Sequence, residues 1–235
     1  IRMTITKRQK LIVEKIDTMK AYELIEALEL VQGLPKVKFN ESVDISINLG
    51  VDPKKSDQNV RGSSSLPHGI GKTLKVAVFA EGEDAAEAKK AGAEIVGFED
   101  LIADVKKNKD LDADVVIATP DCMAKLGALG RILGPKNLMP NPKEGTVTKN
   151  VVDAVNNAKK GQVRYKTDKA GIIHTTIGKI DFEAQKLAEN INFLIDDLIK
   201  AKPSTAKGKY MTNISISSTM GPGIKVDLAT VGNEK

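Results

Sequence analysis

The chain has 235 residues, 41% of them hydrophobic, enough for one large domain or two ordinary ones with a proper core. Its 36 basic against 31 acidic residues leave a net charge of +5 and a pI near 9.1, a mild pull toward a polyanionic partner. One cysteine, two histidines distant in sequence and no tryptophan exclude an internal disulfide, a clustered zinc site and a single-strand binder built on stacked rings.

Residues 8–32 read as helical, with Ile12, Ile16 and Met19 and then Leu24, Leu28 and Val31 recurring at helix spacing before Gly33 and Pro35. "VKFNESVDISINLG" follows and alternates. Val43, Ile45, Ile47 and Leu49 face one way, and Asp44, Ser46 and Asn48 the other, as in a half-buried strand. By the same phase Phe39 belongs to the core. Residues 52–72, rich in Pro, Gly, Ser and Asn, read as a long connection.

The rhythm then changes. "TLKVAVFA", "EIVGF" and "ADVVIAT" are buried strands, separated by the helices "EDAAEAKKAGA" and "EDLIADVKKN". Such alternation predicts a parallel sheet. "DCMAKLGALG" and "VVDAVNNAKKG" are further helices. They flank residues 130–145, where Pro135, Pro140, Pro142, Gly130, Gly134 and Gly145 oppose regular structure. Ile132, Leu133, Leu138 and Met139 are apolar enough to pin that loop, and Arg131, Lys136 and Lys143 make it basic.

From Gly161 the first rhythm returns. "QVRYKT" and "GIIHTTIGK" are strands joined by a turn at 168–171. "DFEAQKLAENINFLIDDLIKAK" is an amphipathic helix with Leu187, Ile191, Leu194, Ile195 and Leu198 on one stripe. "NISIS" and "IKVDL" are strands around the turn "TMGPG". Neither end of the chain has enough strands for a sheet alone. The fold class is therefore read as α/β with two domains. Residues 1–70 and 160–235 form a discontinuous, sandwich-like α/β domain with a largely antiparallel sheet. Residues 73–158 form an inserted, Rossmann-like three-layer α/β domain. Gly69, Gly71 and Gly161 mark the two crossings and suit a hinge.

The chemistry-bearing motifs are weak. "HGIGKT" resembles the end of a phosphate loop, but that loop needs a glycine where Leu66 stands, and here a strand follows instead of a helix. "GSSSL" and "STAK" each lack the companions of a serine nucleophile and read as polar loops. Cys122 at a helix start has no histidine nearby and reads as a small, partly buried residue. His174, alternating with Ile172 and Ile173 in a strand, reads as structural or as part of an RNA-facing surface. In "SISSTMGPGIKVD", Ile214 and Ile216 point inward, Ser215, Ser217 and Thr219 outward, and Met220 sits exposed at the tip. That turn suits either an ordinary hairpin or close approach to a sugar–phosphate surface. No catalytic constellation, metal site or cofactor site is found. No apolar run approaches a membrane span, and "IRMTITKRQK" lacks a secretory signal's apolar stretch, so a cytoplasmic location is expected.

"SDQNVRGSSSLPHGIGK" (56–72), "GRILGPKNLMPNPKEGTV" (130–147) and "STMGP" (218–222) resemble the bacterial L-one family of large-subunit ribosomal proteins, over nearly the whole chain. The resemblance implies a ribosomal stalk protein that binds large-subunit (23S) rRNA beside the tRNA exit site and assists release of deacylated tRNA. It further implies a repressor of translation that binds its own operon mRNA, and a monomer when free. Its rRNA-binding residues would be Lys38, Phe39, Glu41 and Ser42, then Lys169, His174 and Lys179, then Ser217, Thr219, Met220 and Gly221. The implied exposure of Phe39 conflicts with its place in the strand's phase. Arg131, Lys136 and Lys143 are the candidates to face exit-site tRNA. The rival reading is a nucleotide-binding enzyme using the inserted βαβ segment, against which the missing glycine fingerprint speaks.

Overall fold

A computed structural model of the chain describes residues 6–17, 20–34, 37–108 and 111–231. Met19 and Pro35 lie outside them. The chain divides into two compact units, Ile1–Gly71 with Val163–Lys235, and Lys72–Gln162.

The first unit opens with two helices where one was expected. Helix α1 (Lys7–Lys15) starts at a capping box. Thr6 Oγ1 accepts from the Gln9 amide, and Gln9 Oε1 accepts from the Thr6 amide. It stops at Ile16, whose backbone is extended. Helix α2 (Leu24–Gln32) begins only after Tyr22, which is held extended in a parallel bridge to Val226. The Tyr22 amide donates to the Lys225 carbonyl at 3.0 Å, and the Asp227 amide to the Tyr22 carbonyl at 2.8 Å. Sheet pairing across some 200 residues of sequence outweighs local helical periodicity here.

Strand β1 (Ser42–Leu49) alternates as expected, with Val43, Ile45, Ile47 and Leu49 buried. The connection after it contains a strand that the sequence concealed, β2 (Arg61–Ser65), besides a 3-10 turn at Ser56–Gln58. Five polar or glycine residues give no apolar alternation to read. β2 pairs with β6 (Gln162–Lys166) in a two-stranded ribbon. Its buried Ser64 donates to Asp197 Oδ2 at 2.6 Å, and a Cβ on Gly62 would lie 2.8 Å from the Tyr165 hydroxyl oxygen.

The second unit holds β3 (Val76–Phe79), α3 (Gly82–Lys90), β4 (Ile95–Gly97), α4 (Glu99–Asn108), β5 (Val115–Ala118), α5 (Met123–Leu126), α6 (Gly130–Leu133) and α7 (Val151–Lys159). Its sheet is parallel, in the order β4-β3-β5. Both faces are covered, which is why the strands are apolar throughout. Val76, Val78, Val115 and Ile117 meet α3 and α7 through Ala88, Val151, Val155 and Ala158. Ala77, Phe79, Val116 and Ala118 meet α4 and the turns beyond β5 through Ile102, Val105, Leu126, Leu129 and Leu133. Cys122 belongs to this second core. Burial pushes its thiol up, despite the hydroxyl of Thr119 3.1 Å away.

The chain returns to the first unit through β6, β7 (Ile172–Lys179), α8 (Ala184–Lys200), β8 (Met211–Ser218) and β9 (Ile224–Val226). Four strands form one sheet in the order β7-β1-β8-β9, with every neighbour antiparallel. The α8 stripe and Leu24, Ala27, Leu28 and Val31 of α2 cover its inner face. Each buried Leu, Ile or Val among them contributes about 1.5–3 kcal/mol.

One polar side chain sits inside that core. Asn190 of α8 is 0% exposed, yet it makes three hydrogen bonds to the backbone. Its amide nitrogen donates to the carbonyls of Gly69 (3.1 Å) and Ile177 (3.0 Å), and its oxygen accepts from the His68 amide (3.1 Å). The segment leaving the first unit is thereby tied to α8 and β7. His68 also pairs with Glu189. Gly69, Gly71 and Gly161 all have positive φ, at 67°, 72° and 95°, where a Cβ is unfavourable.

Candidate nucleic-acid interface

The outward face of the four-stranded sheet is polar because period-two alternation leaves it the other half of each strand. Across it, His174, Ser46, Ser215 and Lys225 lie in one transverse row, and Thr176, Asp44 and Ser217 in the next. At about 4.8 Å per strand the first row spans roughly 14 Å. A shallow hollow of about 330 Å³ lies along it, lined by Asp44, Ser46, His174, Thr176 and Ser217 among others. Thr176 Oγ1 donates to Asp44 Oδ1 at 2.6 Å. Hydroxyls therefore predominate in these two rows, and the Asp44 carboxylate is already engaged.

A bulge decides what stands at the end of this face. Strand β1 loses register with β7 between Val43 and Asp44, so that Ile177 and Gly178 both turn inward. A Cβ on Gly178 would lie 2.8 Å from Leu187 Cδ2. Strict alternation would drive Lys179 into the core. The bulge turns it out instead, opposite Ser42, whose hydroxyl accepts from its ammonium at 2.9 Å. At the other end of β7, Lys169 stands exposed on a turn built by Asp168. That carboxylate accepts from the amides of Ile172 (2.9 Å) and Ala170 (2.8 Å). These bonds, Ile172 foremost, hold its carboxyl below the usual range, with His174 Nε2 3.5 Å away assisting.

The turn after β8 completes the edge. Thr219 and Met220 are exposed, Met220 by 57%. The Thr219 amide donates to the Ser42 carbonyl (3.1 Å), and the Ser42 amide to Thr219 Oγ1 (3.0 Å). The Gly221 amide closes the turn on the Ser218 carbonyl at 3.1 Å. A Cβ on Gly221 would lie 2.5 Å from Ser218 Oγ, so any side chain there would have to displace that hydroxyl. Lys38 and Phe39 are exposed in the segment before β1. Phe39, 53% exposed, is not the core residue that its phase suggested, because the strand begins at Ser42 and the alternation does not extend back to it.

Glu41 is the exception among the residues that the resemblance implied. It is 3% exposed, and its carboxylate faces the protein. Oε1 accepts from the Met220 amide at 2.8 Å and from Ser218 Oγ at 3.2 Å, and Arg8 Nη2 lies 4.0 Å away.

The basic loop belongs to the second unit and is more ordered than its composition suggested. Residues 130–133 make the helical turn α6, and Pro142–Glu144 a 3-10 turn. Asn137, at φ 55°, bends the chain, and the Leu138 amide returns to the Leu133 carbonyl at 3.0 Å. Asn141 fixes the second half. Its side chain accepts from the Lys143 amide at 3.0 Å, and its amide donates to Thr146 Oγ1 at 2.7 Å. Val147 then bridges Ala118 in parallel, extending the sheet beyond β5. Leu133 and Leu138 are buried, while Arg131, Lys136 and Lys143 are exposed.

The sequence pattern of the ribosomal protein L1p/L10e family matches residues 29–222. The chain belongs to this family. It is 61% identical over 227 residues to a protein of Thioalkalivibrio sulfidiphilus named large ribosomal subunit protein uL1, covering 97% of this chain and 98% of that one. A Coxiella burnetii protein of the same name is 57% identical over 228 residues, with the same coverage. The rival nucleotide reading fares poorly in this L1p/L10e member. Where a parallel sheet passes phosphate to the first helix N-terminus, Glu81 precedes α3 and Glu83 and Asp84 occupy its first turn. Acidic groups there repel an anion. What sequence reasoning missed on the interface is its middle. Ser46, Asp44, Thr176, Ser215 and Lys225 were legible only as the polar half of an alternation, and their transverse rows only as register.

Proposed function

We propose that this protein is a component of the large ribosomal subunit that holds 23S rRNA on the outward sheet face and Met220 edge of the first unit. The observation that carries the reading is convergence. Segments at 38–46, 169–179 and 215–225, scattered through the chain, contribute to one continuous surface of hydroxyls, lysines and two exposed apolar side chains. Serine and threonine hydroxyls both donate and accept, as 2′-hydroxyls and phosphate oxygens require. Lys38, Lys169, Lys179 and Lys225 supply the charge. With so few rings in the chain, recognition rests on shape and sugar–phosphate contacts more than on stacking. The names carried by the 61% and 57% identical relatives support placement on the large subunit.

The finer reading has the protein sit on the mobile stalk beside the tRNA exit site and assist release of deacylated tRNA. Arg131, Lys136 and Lys143 of the second unit are its candidate contacts to exit-site tRNA. Gly69, Gly71 and Gly161 would act as the hinge. The free protein would repress translation by binding its own operon mRNA through the same surface that holds rRNA. The role is binding and movement, without catalysis, in the cytoplasm. No helix among the described residues is long and apolar enough to cross a membrane.

Cosedimentation with large subunits and footprinting on 23S rRNA test this reading. The full chain is expected to protect one folded rRNA segment, with affinity falling steeply as salt rises. A chain joining residues 1–70 to 160–235 through a short linker should protect the same segment, and residues 73–158 alone should not. Protection by residues 73–158 alone would move the site to the basic loop.

A further inference from the structure

Resting on the rRNA-binding reading above, we infer that Glu41 is a positioning residue. It presets the Met220 turn for RNA and does not touch RNA itself. The turn sequence is poorly suited to holding a shape. Gly221 and Gly223 flank Pro222, and glycine has more conformational freedom to lose than any other residue. Yet a turn that meets RNA at its tip binds well only if its shape exists beforehand.

The rigidity comes from the strand opposite. Two consecutive residues, Glu41 and Ser42, meet three consecutive residues of the turn. Ser42 clamps Thr219 through two hydrogen bonds at 3.0 and 3.1 Å. Glu41 Oε1 takes the Met220 amide at 2.8 Å and the Ser218 hydroxyl at 3.2 Å. A carboxylate is the stronger kind of acceptor for an amide, and one shielded from water is stronger still. The backbone of Glu41 also receives the Ile180 amide at 3.0 Å, which fixes the chain just beyond Lys179. One buried residue thus orders the turn and the end of β7 together. At 3% exposure its carboxylate offers RNA no surface. The negative charge also stands behind the interface instead of on it, with Arg8 Nη2 4.0 Å away.

The test compares Glu41→Gln and Glu41→Ala in the full chain, using a transcribed stalk segment of 23S rRNA as the probe. Glutamine keeps an acceptor oxygen for Met220 and loses the charge. Alanine removes both. We expect Glu41→Ala to weaken binding about tenfold with an unchanged slope of log affinity against log salt, because no phosphate contact is lost. Glu41→Gln should stay within about threefold of the parent. Without RNA, the Met220 amide should exchange with solvent slowly in the parent and in Glu41→Gln, and at least about tenfold faster in Glu41→Ala. Equal loss of binding in both variants, with the Met220 amide equally protected in all three proteins, would make the carboxylate a direct RNA contact and overturn the inference. So would parent-like binding by Glu41→Ala. If Glu41→Ala fails to fold, exchange in the free parent still decides, since an unprotected Met220 amide there means that no preset turn exists. A parent chain that does not bind the probe would defeat the rRNA reading, while the exchange measurements would still judge the turn.

Discussion

Replacing Asn190 by alanine should destabilise the first unit while leaving the second intact. The buried side chain makes three hydrogen bonds, to the carbonyls of Gly69 and Ile177 and from the amide of His68, of which the one to Ile177 is fully buried. Alanine strands all three backbone groups. Each lost bond costs about 1 kcal/mol, and a buried group left unsatisfied about 1–3 kcal/mol. Gly69 and His68 border the solvated exit of the chain and recover part of this from water. The expected loss is about 3–5 kcal/mol. Asn190→Asp should lose as much, because a carboxylate cannot donate to two carbonyls. The assay is built into the composition. There is no tryptophan, and Tyr22, Tyr165 and Tyr210 all lie in the first unit, so tyrosine fluorescence follows that unit alone in urea. At about 1–3 kcal/mol per molar urea, the midpoint should fall by about 1–5 M. A fall below about 0.5 M with an unchanged slope would show that the amide is not a structural tie.

Met220→Ala should weaken rRNA binding by roughly 1–3 kcal/mol and leave the tyrosine-detected midpoint unmoved, since a side chain 57% exposed contributes little to folding; parallel losses of stability and binding would make the turn structural. Gly50→Ala should cost the first unit about 1–3 kcal/mol in the same urea assay, because its Cβ would lie 2.2 Å from the Lys209 carbonyl oxygen, a backbone atom with little room to yield. Burial, with Tyr165 adding to it, pushes the Tyr210 phenol up to about 12 from an ordinary 10. The unfolded chain surrenders that proton first, so stability present below about pH 10 should drain away between about pH 10 and 12, by about 2–3 kcal/mol. Tyr210→Phe should lessen that alkaline loss in melts taken at either end of the range, and an unchanged alkaline loss would count against the assignment.

The parts of the fold legible in the sequence are those where burial dictates the pattern. Val43 to Leu49 and the α8 stripe each bury one side, and the apolar strands of the second unit are covered on both. What escaped was decided by partners far along the chain. Tyr22 leaves the helical run to pair with Val226, and Arg61–Ser65 becomes a strand with no apolar signal because it pairs with Gln162–Lys166. Phe39 shows the limit of phase, which predicts nothing beyond the residue where a ladder begins. At the candidate interface, residue types were legible and geometry was not. The resemblance implied Glu41 as an RNA contact, and the fold buries its carboxylate against the Met220 turn. Lys179 owes its outward direction to a bulge that Gly178 permits.

The strand order β7-β1-β8-β9 sets a timetable for synthesis. β1 emerges early, yet both of its sheet neighbours are made later, the first roughly 120 residues on. At about 5–20 residues per second, its apolar side stays without sheet partners for roughly 6–25 s. The parallel unit is contiguous, from Lys72 to Gln162, and can close as soon as it clears the exit tunnel. A chain released prematurely near residue 165 would therefore carry a finished second unit and an orphaned β1 strand, open to pairing with another chain along both edges.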